Sequence, residues 1–170
     1  MAVRKRLKVA DYLNVGKNGV DEYVFMGLGF TELNESPSAQ TSSKRYINDK
    51  SATTSITGYE TEFGYETDQI RDEKAIDFIC DIGELQKTGD DAETDYIKVD
   101  LDKPGTTENT YRARKFRVAV EVSDLEAKDG EMSAKGKFLG VGDLVLGTFD
   151  TTTKKFTPGF AEKVESKVSE

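Results

Sequence analysis

One segment limits the fold of this chain more than any other: Asp72–Gly89, DEKAIDFICDIGELQKTG, the only stretch with a clear helical period. At about 3.6 residues per turn, Ala75, Phe78, Ile79, Ile82 and Leu85 share one face, and Asp77, Asp81 and Glu84 share the other. Asp72 suits the N-cap. Asp72 and Glu73 suit the positive end of the helix dipole, and Lys87 with Gly89 suits the stop. Almost everything else reads as strand. A lone amphipathic helix must cover an apolar sheet. The expected fold class is therefore mainly β (α+β): an antiparallel β-sandwich or barrel with one flanking helix over residues 72–88.

At 170 residues the chain is long enough for one domain with a real core. Its 36% hydrophobic and 33% charged content is polar for a compact globule, which implies long arms or loops that partners complete. The division expected is an arm over residues 1–20, a single β-sandwich domain over 21–158, and a charged tail over 159–170. No apolar run nears the roughly 18 residues of a membrane span, and MAVRKRLK lacks the apolar core of a signal peptide. A cytoplasmic chain without a membrane anchor is expected.

Chemistry is restricted just as firmly. Cys80 is the only cysteine and histidine is absent, which removes disulfides, thiolate clusters, the usual general base and the commonest zinc ligand. Neither catalysis nor a cofactor or metal site is expected. A net charge of −8 opposes wrapping nucleic acid for affinity, though not contact that must stay slippery.

Arg4, Lys5, Arg6 and Lys8 open the chain as a basic cluster, read as an arm lying on an acidic neighbour. Tyr23–Leu33 reads as a buried strand. It contains Gly27–Phe30, GLGF, the wording of the PDZ loop that captures peptide C-termini, or else glycines that allow close backbone approach. Residues 34–52 form a polar loop or an extended hairpin. With Ser36, Lys44, Arg45, Tyr46 and Asp49, this is the main interaction candidate. Thr53–Glu66 alternates, placing Glu60 and Glu62 on a wet acidic face. The acidic turn near residues 89–95 lacks the ligand spacing of an EF-hand. Tyr96–Leu101, Tyr111–Val122, Glu131–Gly140, Asp143–Phe149 and Lys155–Pro158 follow as antiparallel strands.

The wording of TSITGYETEFGYETDQ, then DEKAIDFICDIGELQKTGDDAETDYIKVDL, then YRARKFRVAVEVSDLEAKDGEMSAKGKFLGVGDLVLGTF resembles the tail tube, or major tail, proteins of bacteriophages and phage-tail-like particles. The resemblance spans roughly residues 53–149. It implies a structural virion protein whose protomers form hexameric rings, stacked into a tube around a tape-measure protein. Terminator and baseplate or distal tail proteins would meet its ends, and DNA would pass through without specific binding. The implied location is the virion tail, assembled in the bacterial host cytoplasm. Glu60 and Glu62 then become lumen-facing candidates, loop 34–52 an inter-subunit or inter-ring element, and Arg4, Lys5, Arg6 and Lys8 an inter-subunit arm. Two other readings are a β-rich binding module that captures peptide termini through Gly27–Phe30, and an enzyme using the Glu60–Glu62 pair.

Overall fold

The structure is a computed structural model that describes residues 1–164. Its strands are β1 (Val9–Asn14), β2 (Tyr23–Phe25), β3 (Phe30–Ser36), β4 (Ala39–Lys44), β5 (Thr53–Tyr59), β6 (Glu62–Asp68), β7 (Glu93–Pro104), β8 (Thr110–Lys128), β9 (Glu131–Gly140), β10 (Val145–Asp150) and β11 (Lys155–Pro158), with helix α1 (Lys74–Glu84) between β6 and β7. Nine strands form one sheet in the order β2-β1-β7-β8-β9-β6-β3, with β10 on β8 and β11 on β10; β4 and β5 pair apart from it. All pairings are antiparallel.

β8 organises this arrangement because its 19 residues link the two halves of the nine-stranded sheet. Its first half lies between β7 and β10, and from Val118 onward it pairs with β9. The β9-β6-β3 flap folds over one face of β1, β7 and β8. There Phe63 meets Tyr96 at 4.8 Å and Phe116 at 4.9 Å, edge to face. The opposite face of the same strands buries a second cluster, including Tyr12, Ile97, Val99, Ala113 and Phe149.

α1 plugs the open end of the first core. Ala75, Ile76, Ile79, Cys80 and Ile82 are buried, and Gly83 lies so close to β8 that a Cβ there would stand 2.7 Å from Val122 Cγ1. The helix is shorter than residues 72–88. Glu73, not Asp72, is the N-cap, and it makes no side-chain capping bond. The stop is a Schellman motif in which Gln86 (φ 51) takes the left-handed position. Gln86 N–H donates to Gly83 O and Lys87 N–H to Ile82 O. Leu85, expected on the apolar stripe, lies past the last turn and is exposed. On the solvent face Arg71 binds Asp77 at 3.0 Å, reaches Glu84, and approaches Asp81 at 3.9 Å.

The N-terminal segment is not an arm over its whole length. Val9–Asn14 is strand β1, paired with β2 and β7, and Leu13 is fully buried. Its sequence shows no alternation because Ala10 and Tyr12 enter one core while Leu13 enters the other. The expected strand Tyr23–Leu33 is likewise two strands, β2 and β3, at opposite ends of the sheet order. Part of the tail docks: Glu162 bridges to Gly105, while residues 165–170 lie outside the described range.

Replacing Ile79, which has no exposed surface, with Asp should unfold the protomer at a cost of several kcal/mol. Asp81→Asn should shift stability by less than about 0.5 kcal/mol in urea denaturation; unfolding by that change would mean the helix faces the other way. Burial pushes the Tyr23, Tyr65 and Tyr96 hydroxyls well above their ordinary value of 10.0, with Asp95, Cys80 and Asp11 respectively adding to the shift. The stability this represents is whole below the unfolded value near 10 and is lost as pH climbs through the folded values. Ionisation of these three buried tyrosines, followed by ultraviolet absorbance, should therefore coincide with alkaline unfolding. Their titration near 10 in a still-folded protein would contradict it.

Candidate functional site

Among the described residues no group of three or more His, Cys, Asp or Glu is placed to hold a metal ion. Two surfaces ask for a function. The first is a ribbon. The β3–β6 hairpin continues past Pro37–Ser38 and Glu60–Thr61 into β4–β5, and Glu60 N–H donates to Ser38 O at 3.1 Å across the junction. Every β4 residue is exposed and β5 is nearly so. A two-stranded ribbon without an apolar face against something is marginal in water. Its tip is nonetheless an ordered turn, in which Arg45 Nε donates to Asp49 O at 3.0 Å and Tyr46 N–H to Asp49 Oδ2 at 3.2 Å. Lys44 Nζ sits 5.0 Å from the Tyr46 ring centroid. Ile47 projects fully into solvent, at 101% relative exposure.

The second surface is the outer face of the four strands β8-β9-β6-β3. It carries Glu121, Asp124 and Glu126 from β8, Lys135 and Lys137 from β9, Glu62 and Glu66 from β6, and Glu32 from β3. Lys137 binds Glu62 at 3.1 Å, and Lys135 binds Glu126 at 3.3 Å and Asp124 at 3.9 Å. Hydrogen bonding to Glu126 raises the Lys135 pKa. Acids outnumber bases, so the face is polar with an acidic balance. Both sides of this sheet are open among the described residues. β3 pairs only with β6, and the β7 register on β8 ends at Glu93↔Ala119, leaving the rest of β8 without a strand on that side.

Glu62 lies on this face, but Glu60 does not share a strand with it. The expected strand Thr53–Glu66 breaks at Glu60–Thr61, and Glu60 stands exposed at the root of the ribbon. Of the loop candidates, Ser36 ends β3, Lys44 ends β4, and Arg45, Tyr46 and Asp49 form the tip. Of the basic cluster, Arg4 binds Asp102 at 2.8 Å and also Asp100, and Arg6 binds Asp11, all within the protomer. Lys5 and Lys8 remain exposed.

Sequence reasoning missed Asp11, Tyr96, Lys98, Glu35 and Arg114. Asp11 is buried, accepting bonds from Tyr96 Oη, Arg6 and Lys98 Nζ, the last at 3.3 Å. Glu35 on β3 takes a two-pronged bond from Arg114 at 2.7 and 2.9 Å, a pairing that raises the Arg114 pKa. The visible signal was the alternation of charge and apolar residues in YIKVD and YRARKF.

Gly27–Phe30 does not form a free carboxylate cradle. It turns between β2 and β3, Gly29 has φ 88, and the Phe30 N–H already donates to Gly27 O at 3.2 Å.

No family model matches the chain, and no curated protein matches it in sequence. A search of solved structures does find a match, to a chain in the tail of an empty GTA particle refined helically with C6 symmetry. The two superpose with a TM-score of 0.56 at 12% sequence identity, over 84% of this chain and 97% of that one. What this chain shares with that phage-tail-like particle is the fold, along nearly the whole length of the tail chain.

Proposed function

We propose that this chain is a structural virion protein that assembles into stacked hexameric rings, forming the tube of a phage tail or tail-like particle through which DNA leaves. The observation that carries the reading is the four-stranded sheet β8-β9-β6-β3. It is open on both sides, in a fold shared with a chain from a C6-symmetric tail. Open strand edges invite pairing with another chain, and in a ring the β3 edge of one protomer meets the free part of β8 in the next. Repetition closes an inner barrel.

The outer face of that sheet then lines the lumen. Glu62, with Glu66 and Glu121, gives the wall an acidic balance that repels phosphate, and Lys135 and Lys137 are already engaged by neighbouring acids. Glu60 sits where the ribbon leaves the wall. The tape-measure protein occupies the lumen during assembly, and terminator and baseplate proteins meet the ends of the tube. The role is structural rather than catalytic. Ser36, Lys44, Arg45, Tyr46 and Asp49 belong to a ribbon that bridges protomers or rings. Lys5 and Lys8 are the members of the basic cluster left free to meet a neighbour, since Arg4 and Arg6 hold their own protomer.

Replacing Ala39–Tyr59 by Asn-Gly, a two-residue turn joining Ser38 to Glu60, should leave a folded, soluble protomer that forms no tubes. Circular dichroism checks the fold and negative-stain electron microscopy checks the tubes. Tubes formed by the shortened chain would overturn the role given to the ribbon. The full-length chain staying monomeric at every concentration, with or without tail-tip proteins, would overturn the tube itself.

A further inference from the structure

We propose that the groove between β3 and the β1–β2 pair receives Leu125 and Leu85 of the next protomer in the ring. This rests on the tube reading above and adds an apolar layer to its lateral contact. The groove holds about 330 Å³, and its apolar walls include Leu7, Val9, Phe25, Met26, Phe30 and Leu33, of which Leu7 and Phe25 are exposed. Among the described residues none of β6 lines it, so it opens on the side of β3 that has no strand partner.

Three observations select the second copy as occupant. The first is strand direction. Three antiparallel pairings separate β3 from β8, so the two run in opposite senses. Rotation about a ring axis preserves that sense, and β3 meets the neighbour's β8 antiparallel, as every other pair in the sheet does. The second is the side to which residues point. Paired residues of adjacent strands face the same side of a sheet. Leu33 pairs with Tyr65 and Leu125 with Ala134, and Leu33, Tyr65 and Ala134 are all buried on the inside of the sandwich. Leu125 shares that side, yet it stands exposed on the part of β8 that β7 does not reach. Because a ring's symmetry carries the polar face of one protomer into that of the next, Leu125 turns toward the groove side at any regular register. The third is the helix. α1 crosses the sandwich from the β3 side, where a Cβ on Gly29 would meet Ile76, to the β8 side, where Gly83 abuts Val122. Its C-terminal end, followed by the exposed Leu85, is thus presented at the β8 edge. One side of the protomer is an apolar hollow and the other carries exposed leucines, and bringing the two together removes both from water.

The chain has no tryptophan, so Phe25→Trp puts a single emission probe in the groove. In tubes that emission should lie to the blue of the dilute protomer. A nitroxide on Leu85→Cys, with buried Cys80 escaping the label, should quench it when the two kinds of protomer are assembled together. Tubes with unshifted emission, or without quenching by the label, overturn the groove contact and leave the tube reading intact. Failure of the unaltered chain to form tubes overturns both. Leu85→Asp and Leu125→Asp supply a second arm, which decides if probe or label disturbs assembly. Each should raise the concentration needed for pelleting about tenfold, which corresponds to ~1.4 kcal/mol. Pelleting at the unaltered concentration, by chains that keep the circular dichroism of the unaltered protomer, overturns the contact. Leu85→Asp, a change at an exposed position, decides alone if Leu125→Asp loses its fold.

Discussion

The packing of α1 and the β6 flap onto β8 is the interaction on which the rest of the molecule depends. β8 sends Phe116, Val118 and Val120 into one core, and Ala113 on its other face into the second. Strict alternation beyond Val122 would carry Asp124 and Glu126 to the apolar side. The irregularity between Val122 and Asp124 shifts the register, so both acids stand opposite β9 on the polar face, where Lys135 meets them. One bulge thus lets a single strand be core at one end and charged wall at the other. Gly83 completes the arrangement, since any side chain there would force α1 off Val122.

Between the layers, ionic contacts accompany the aromatic core. Asp11 is fully desolvated and satisfied by Tyr96, Lys98 and Arg6, and Glu35 is clasped by Arg114. Burying such groups costs several kcal/mol per ion, which attraction and hydrogen bonds roughly offset, so their net contribution to stability is small. Their geometry matters more. The two-pronged Glu35–Arg114 bond ties the end of the β3 edge to the first half of β8 across the sandwich, fixing where that open edge stands. An edge offered to a neighbour is useful only if its position is set.

What the sequence disclosed follows from where periodicity survives folding. α1, β6, β9 and the β10–β11 pair each bury one face, and their spacing was legible in ALA-PHE-ILE stripes or simple alternation. β1 buries both faces and shows no period, so it reads as an arm. β4 buries neither face, so it falls in the polar stretch 34–52 that reads as a loop or an extended hairpin, whereas β5, just as exposed, is legible only as the start of the alternating run Thr53–Glu66. The same limit applies to the candidate surfaces. Glu62 was legible from alternation, whereas the break at Glu60–Thr61 depends on tertiary pairing, including the bond from Gly140 N–H to Thr61 O at 2.9 Å. The partners of Asp11, Tyr96 and Lys98, are 85 and 87 residues away in sequence, and no local pattern announces such a cluster.

Three features of this protomer would be liabilities in a protein that stays alone. Its main sheet has open edges, its ribbon is ordered without a core beneath it, and its tip points Ile47 into water. Natural monomers blunt such edges with bulges, prolines or short strands. Here β3 carries an irregularity between Phe30 and Glu32 and is followed by Pro37, yet it runs in regular register from Glu32 to Ser36 and pairs on one side only. In the proposed assembly, pairing of β3 with the free part of β8 in a neighbour would satisfy the edges, and a neighbour met by the ribbon would support it and cover Ile47, so the three liabilities share one remedy.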